Sequence, residues 1–297
     1  MTNLESPKKK ILFIINPKSG VSNKKLIENQ IVKCIDEKEF VYDFVYTEYQ
    51  RHAEELSRNA VDENYQIVVA VGGDGTVREV AKGLKSSESS LAIIPTGSGN
   101  GFAFHHKIPR NICKAVGIIN NQKSIKCDTA SLNKEFFVNV AGLGFDAQIA
   151  FEFANYKKRG FLSYLILTIK KFFKYKTSDY IINIDGKQYK KNAFLISFAN
   201  ASQFGNNAYI SPEANVSDGM LDVCILKKFP FFSALNIAIR LFRKSIHKSK
   251  YLEIIRGKEI EIKQENPIIT HLDGEPFEFE NELNIKINPA SLNLIIP

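Results

Sequence analysis

The apolar run from Ile67 to Val71 ends in Gly72, Gly73, Asp74, Gly75 and Thr76, immediately before a segment with helical character. That arrangement can hold a phosphate. Glycines let the backbone come close to an anion, and the unpaired N–H groups opening the next helix, expected from about Thr76 to Leu84, point at it. The aspartate adds a condition. A carboxylate beside a phosphate repels it unless a divalent cation or a transferred proton lies between them, so the pattern points to magnesium-nucleotide chemistry more than to plain anion binding. A tight strand-to-helix turn with an aspartate cap would use the same residue types. Two further loops favour the ligand. Asn16-Pro17-Lys18-Ser19-Gly20 follows the apolar run Ile11 to Ile15, and Pro95-Thr96-Gly97-Ser98-Gly99-Asn100-Gly101 follows Leu91 to Ile94. An open parallel α/β sheet binds ligands outside the carboxyl ends of its strands, so three such loops would converge on one crevice.

The elements that must position these loops alternate through roughly the first 125 residues. Strand-like runs cover 11–16, 40–46, 67–71 and 91–94, with helical segments at 22–35, 52–61, 76–84, 99–105 and 111–119. This alternation predicts a Rossmann-like α/β domain, a parallel sheet with helices on both faces. After Cys127 the texture changes to short β-like runs at 136–140, 180–184, 188–189, 194–199, 220–226, 252–256, 259–263, 268–272 and 283–287. Asp185-Gly186 between two of them is a hairpin signal. The second half is therefore expected to be an antiparallel β domain, with the crossing between domains at Asn120 to Lys126.

The chain has 297 residues, 44% of them hydrophobic, enough for two cores. Cys34, Cys113, Cys127 and Cys224 are scattered without a C-x-x-C spacing, which fits reduced thiols in a cytoplasmic protein and no zinc site. No run reaches the roughly 18 apolar residues that span a bilayer. The net charge of +8 suits an anionic partner. Its distribution narrows the class. Lys157, Lys158, Arg159, Lys170, Lys171, Lys174 and Lys176 interleave with no acidic residue. At helical spacing Phe161, Leu162, Leu165, Ile166, Ile169, Phe172 and Phe173 fall on one arc, opposite Ser163, Lys170, Lys171 and Lys174. A second such helix follows Pro230, with Ala234, Leu235, Ala238, Ile239, Phe242 and Ile246 on the apolar side and Arg240, Arg243, Lys244, His247 and Lys248 on the other; Phe229, Phe231 and Phe232 stand at its entrance. Such helices either pack on a core with a solvated basic back or attach to an anionic membrane, where each surface cation adds about 1 kcal/mol. No nucleic-acid reader is recognisable.

In order along the chain, Asn16-Pro17-x-Ser19-Gly20, Gly72-Gly73-Asp74-Gly75-Thr76, Pro95-x-Gly97-Ser98-Gly99-Asn100, Ser217-Asp218-Gly219-Met220-Leu221-Asp222 and Leu272-Asp273-Gly274-Glu275-Pro276 resemble the diacylglycerol kinase catalytic-domain family, which includes bacterial lipid kinases and sphingosine kinases. The resemblance implies ATP- and Mg2+-dependent phosphorylation of a lipid hydroxyl. It also implies a nucleotide-binding domain of residues 1–126 rejoined by 280–297, and a lipid-binding β-sandwich of 127–279. It places ATP on Asn16, Pro17, Lys18, Ser19 and Gly20, on Thr47, on Gly72, Gly73, Asp74, Gly75 and Thr76, and on Gly97, Ser98 and Asn100. Glu275 is the implied proton acceptor, with Asp273 as competitor or Mg2+ ligand and Asp74 and Asp128 in the active-site network. Asn215, Asp218 and the carbonyl of Met220 are the implied structural magnesium site. The partners implied are a lipid at a membrane surface, with a homodimer left open, and the implied location is cytoplasmic and peripheral to the membrane.

An alcohol is a poor nucleophile at neutral pH, so a carboxylate must take its proton as it attacks the γ-phosphorus. Asp273 and Glu275 are two residues apart, which in an extended strand would turn both to one side. Gly101 after Asn100 departs from the acidic residue of many bacterial members and is more similar to the sphingosine kinase branch, which leaves the acceptor open. His105 and His106 are expected at a helix surface. Two other functions stay in view: a soluble NAD-kinase-type nucleotide kinase, and a catalytically silent lipid-binding regulator. The basic helices argue against the first, and intact Asp74, Asp273 and Glu275 against the second.

Overall fold

Near-continuous runs of Ile, Val and Leu make strands that are buried on both faces, and three of these with a half-exposed edge strand form the parallel sheet of the first unit. The computed structural model describes residues 7–20, 24–154, 161–264 and 266–297. These fall into two units, Met1–Cys127 with Ser291–Pro297, and Asp128–Ala290.

The first unit runs β1 (Lys9–Ile15), α1 (Lys24–Cys34), β2 (Phe40–Tyr46), α2 (His52–Asp62), β3 (Ile67–Gly72), α3 (Asp74–Leu84), β4 (Ser90–Pro95), α4 (Gly101–His105) and α5 (Ile112–Asn121). Its strands are parallel in the order β2-β1-β3-β4, and the chain's final strand adds Asn293 and Leu294 in parallel beside Ser90 and Leu91 of β4. Side chains close the helix ends. Glu79 on α3 accepts the N–H groups of Arg51 and Ala53 at the start of α2, at 2.9 and 3.1 Å, and Asn111 caps α5 through the Lys114 N–H at 3.0 Å.

The second unit continues with β5 (Ser124–Leu132), β6 (Glu135–Phe137), β7 (Val140–Gly144), α6 (Phe145–Ala154), α7 (Phe161–Phe172), β8 (Ser178–Ile184), β9 (Lys187–Ala193), β10 (Leu195–Ala199), β11 (Leu221–Leu226), α8 (Phe231–Phe242), β12 (Leu252–Gly257), β13 (Glu259–Lys263), β14 (Ile268–Leu272), β15 (Glu275–Phe279) and β16 (Glu282–Ile295). One antiparallel layer is ordered β12-β11-β10-β7-β14-β15, and the facing layer carries β16-β13-β8-β9 with β5 beside β16. Alternate residues fill the space between them: Tyr180, Ile182 and Ile184 from β8, Ile260 and Ile262 from β13, and Leu283, Ile285 and Ile287 from β16 pack against Ile196, Phe198, Val223 and Leu272. The outer face of the first layer is covered by a second cluster that includes Phe145, Leu167, Phe194, Phe229 and Ile237.

Four expectations are corrected. The returning segment joins the first unit at Ser291 and not at 280, because residues 282–286 are still paired with β13. Cys34 and Cys113, expected to be free thiols, form a disulfide between α1 and α5, 79 residues apart in sequence. Only the folded layer brings those helices side by side, so spacing along the chain carries no sign of the pair. Cys127 and Cys224 are buried and outside any disulfide, and burial pushes the Cys224 thiol well up. His106 is not a surface residue: it meets Phe102 edge-on at 4.9 Å with its Nε2 buried. The apolar arcs of both basic helices meet the core only in part: Phe172 of the α7 arc, and Ala234 and Ile246 of the second arc, pack on the second cluster, while other members stand exposed. On α8, Ile237 is buried, whereas Phe232 is 82% and Leu235 71% exposed. Near α7, Leu167 is buried and Phe173 exposed. Lys157, Lys158, Arg159 and the side chains of Phe161, Leu162, Ser163 and Leu165 lie outside the described residues.

Candidate active site

In the first unit the three glycine-rich loops are drawn together by contacts that leave no room for side chains. A Cβ on Gly97 would stand 2.4 Å from the Cα of Gly73 and 2.9 Å from Asn100 Oδ1, and one on Gly20 would stand 2.6 Å from the Thr96 carbonyl oxygen. A Cβ on Gly72 would fall 2.4 Å from Thr76 Oγ1, and one on Gly99 2.8 Å from Asp74 Oδ2. Glycine is required at these positions by close approach. Side chains tie the same loops. Asn16 donates from Nδ2 to Thr76 Oγ1 at 3.0 Å and accepts the Lys18 N–H on Oδ1 at 2.9 Å, while the Ser19 and Thr96 hydroxyls meet at 2.9 Å. Asn100 is buried in the left-handed region and donates to the Gly97 carbonyl at 2.7 Å, with its Oδ1 buried and unpartnered.

α3 begins at Asp74, two residues earlier than expected, with Gly73 as an extended N-cap that has no side-chain bond. The N–H groups of its first turn have no intrahelical acceptors, and they open beside the loop of Gly97. Thr47 follows β2 with its N–H bonded to the Ile15 carbonyl at 3.0 Å, and the exposed Ser98 gives its carbonyl to Arg110 at 2.8 Å. Pro17 and Lys18 complete the first loop, with Lys18 exposed. Backbone donors, a helix start and one carboxylate make a cradle suited to a phosphate chain and its cation.

In the second unit, Asp273 and Gly274 form the two-residue turn between β14 and β15, both with positive φ (52° and 86°). The expected extended strand is therefore a hairpin, and its two carboxylates part. Asp273 turns inward and is buried, accepting the N–H of Val138 on Oδ2 at 3.0 Å and those of Asn139 and Val140 on Oδ1 at 2.9 and 3.1 Å. Glu275 opens β15 and stays half-buried. Asp128, also buried, accepts the Gly219 N–H and the Ala290 N–H, each at 2.7 Å, and so clamps the Asp218-Gly219 turn to β16.

The two side chains of the implied structural magnesium site are otherwise engaged. Asn215 Oδ1 accepts from the Ser217 N–H and Asp218 Oδ1 from the Met220 N–H, both at 3.1 Å, and Asp218 Oδ2 is ion-paired with Arg256. Among the described residues, no group of three or more His, Cys, Asp or Glu side chains is arranged to hold a metal.

Sequence reasoning passed over a second polar cluster in this unit. His271 Nε2 lies 3.1 Å from Asp146 Oδ2, which is 3.3 Å from Ser197 Oγ, and a Cβ on Gly142 would intrude on both partners of the pair. His271 Nδ1, Asn139 Oδ1, Asn200 Oδ1 and Gln203 Nε2 are buried without hydrogen-bond partners. Such groups can bind a polar part of a ligand. The one signal in the sequence was His271 within the apolar run Ile268 to Leu272.

Exposed aromatic groups gather on the helical face of the same unit. Phe173 and Phe231 meet at a tilt with 4.5 Å between ring centroids, and Phe232, Leu235, Ile239 and Phe242 continue the exposed stripe along α8. Arg243 and Lys244 at its end, and Lys170 and Lys174 on the α7 side, are exposed, whereas Lys171 pairs with Glu152 at 2.6 Å. Among the described residues no helix is long and apolar enough to cross a membrane.

Residues 10–132 match the diacylglycerol kinase catalytic domain, and residues 139–296 match the YegS C-terminal NAD kinase beta sandwich-like domain. A Pseudomonas putida protein named "Probable lipid kinase YegS-like" is 29% identical over 249 residues, 82% of each chain. A diacylglycerol kinase of Bacillus subtilis is 25% identical over 283 residues, 92% of this chain and 93% of that one. A crystal structure of a diacylglycerol kinase from Bacillus anthracis superposes with a TM-score of 0.74 over 98% of both chains at 22% identity, a likeness of fold.

Proposed function

Because the chain belongs to the diacylglycerol kinase catalytic-domain family of lipid kinases, we propose that it transfers the γ-phosphoryl group of ATP to the hydroxyl of a diacylglycerol or a sphingoid base. The observation that carries this reading is the packing of Gly20, Gly73 and Gly97 against neighbouring backbone, which leaves a cradle lined by amide groups at the start of α3. Asn16, Thr47, Gly72 to Thr76 and Ser98 are the proposed ATP contacts. Asp74 is the side chain there that suits the magnesium of the nucleotide, whose chemistry when bound is to neutralise phosphoryl oxygens.

Glu275 is the proposed base. Its competitor Asp273 is buried and committed to three backbone N–H groups, which occupy both of its oxygens. Glu275 takes the proton as the lipid oxygen bonds to the γ-phosphorus, the bond from that phosphorus to the bridging oxygen breaks, and ADP leaves. Asp128 and Asp273 are positioning residues in this scheme. The surface partner is an anionic bilayer. The Phe231, Phe232 and Leu235 stripe suits insertion at the headgroup boundary, and the neighbouring cations suit lipid phosphates.

The test is transfer from γ-labelled ATP, with MgCl2, into mixed micelles of diacylglycerol, monoacylglycerol, ceramide or a sphingoid base, with NAD in a detergent-free control. Label in diacylglycerol or the sphingoid base is expected and names the branch. Label in NAD alone, or in no acceptor, overturns the reading.

A further inference from the structure

Arg256 stands on β12 opposite Asp222 on β11. Its Nη2 is ion-paired with Asp218 Oδ2, and its Nε lies 3.3 Å from Asp222 Oδ1. One guanidinium thus joins two carboxylates that the chain places four residues apart on either side of Met220. Asp222 is held further by the Ser211 hydroxyl at 2.5 Å, and its side chain is 9% exposed, so this end of the pair is set in the protein and not in solvent. Three N–H groups of the turn are also matched: Gly219 to Asp128, Met220 to Asp218, and Ser217 to Asn215.

These are the residues to which the family resemblance assigns a structural magnesium ion, and they do not fit it as they stand. Magnesium demands near-octahedral oxygen ligands and gives up its water reluctantly. A guanidinium already seated on the only carboxylate of the set would repel a second cation. Arginine is always charged, and its planar fork spans two oxygen acceptors in a fixed geometry. We infer that Arg256 takes the place of the structural metal in this chain: the β-sandwich unit carries its own cation, and its Asp218 turn is closed without magnesium. Resting on the lipid-kinase reading, the consequence for activity is that magnesium is needed only as the partner of ATP, so free MgCl2 beyond that bound to ATP gives no further activation.

The experiment is thermal unfolding of the full chain, without nucleotide or lipid, in EDTA and in millimolar MgCl2. The wild-type Tm is expected to be the same in both. Arg256→Met, which keeps the apolar stem and removes the charge, is expected to lower the Tm in EDTA and to recover part of it in MgCl2, since Asp218 and Asp222 then face one point unneutralised. A wild-type Tm that rises in MgCl2 and loses that response in Asp218→Asn overturns the inference. So does an Arg256→Met chain whose Tm is that of the wild type in EDTA, or is unmoved by MgCl2. Should Arg256→Met fail to fold, the comparison of wild type with Asp218→Asn decides alone. Since this unfolding needs neither ATP nor lipid, its outcome is independent of whether lipid is the acceptor.

Discussion

Replacing Asp273 by asparagine separates a positioning carboxylate from a catalytic one. In the native chain its Oδ1 accepts two backbone N–H groups and its Oδ2 a third, at 2.9 to 3.1 Å, all buried. Asparagine keeps one oxygen for Asn139 and Val140 but presents an NH2 group to the Val138 N–H, donor against donor. One charge-assisted bond is lost outright and a buried N–H is stranded, which together cost about 3 kcal/mol. For a domain of roughly 150–250 residues that lowers the Tm by about 6–12 °C. The hairpin also loses its anchor to residues 138–140, so Glu275, two residues on, is no longer held in place and turnover falls with it. The assay pairs thermal unfolding of the full chain with labelled phosphoryl transfer at a temperature where the variant remains folded. Asp273→Asn with wild-type Tm and no turnover would refute the reasoning, because the carboxylate would then act in the chemistry and not in the scaffold. Wild-type Tm with wild-type turnover would refute it as well, by showing that the cradle bears no strain of the fold.

Glu275→Gln is expected to reduce turnover by about 10²–10⁴-fold, the usual range for a general base, with ATP affinity and Tm nearly unchanged; steady-state kinetics and nucleotide titration check both. Gly97→Ala drives a methyl group against the Gly73 backbone, and an overpacking cost of about 1–3 kcal/mol should weaken ATP binding by about 10- to 100-fold, read by calorimetry. Phe232→Ser with Leu235→Ser should reduce binding to phosphatidylglycerol vesicles by about 10- to 100-fold, from the apolar burial forgone, without altering ATP binding; equal sedimentation with vesicles would remove α8 from the docking surface. Burial, and secondarily the neighbouring His105, lowers the His106 pKa to about 3. The unfolded chain therefore takes up a proton near pH 6.5 that the folded one refuses, and stability is lost as pH falls from there toward 3, by up to about 1.4 kcal/mol per pH unit. His106→Leu should flatten that slope in urea titrations between pH 6.5 and 4.5.

Most of the first unit was legible because its information is local. Buried parallel strands are apolar runs, their loops are rich in glycine, and both signals are contiguous, so the elements came within a few residues of their observed bounds. Asp273-Gly274 reads as extended strand along the sequence, and the hairpin it forms was not foreseen. Whether a carboxylate two residues from another shares its direction depends on the sign of φ, and whether it is free depends on the N–H groups of residues 138–140, some 135 positions away. The same holds for Cys34 with Cys113, for Asp146 with His271, and for Arg256 with Asp218. Periodicity showed that α8 had an apolar side, yet it could not say which side met the protein, since Phe231, Leu235 and Ile239 repeat as regularly as Ala234, Ile237 and Leu241 do. Sequence by itself determined which segments of the first unit are strands and helices and where the phosphate-binding loops fall, because backbone preference and burial period act over a few residues. Only the tertiary structure decided which charged and polar groups are occupied, because their partners arrive from distant strands and the cost of leaving a buried polar group unpaired is settled only where those strands meet.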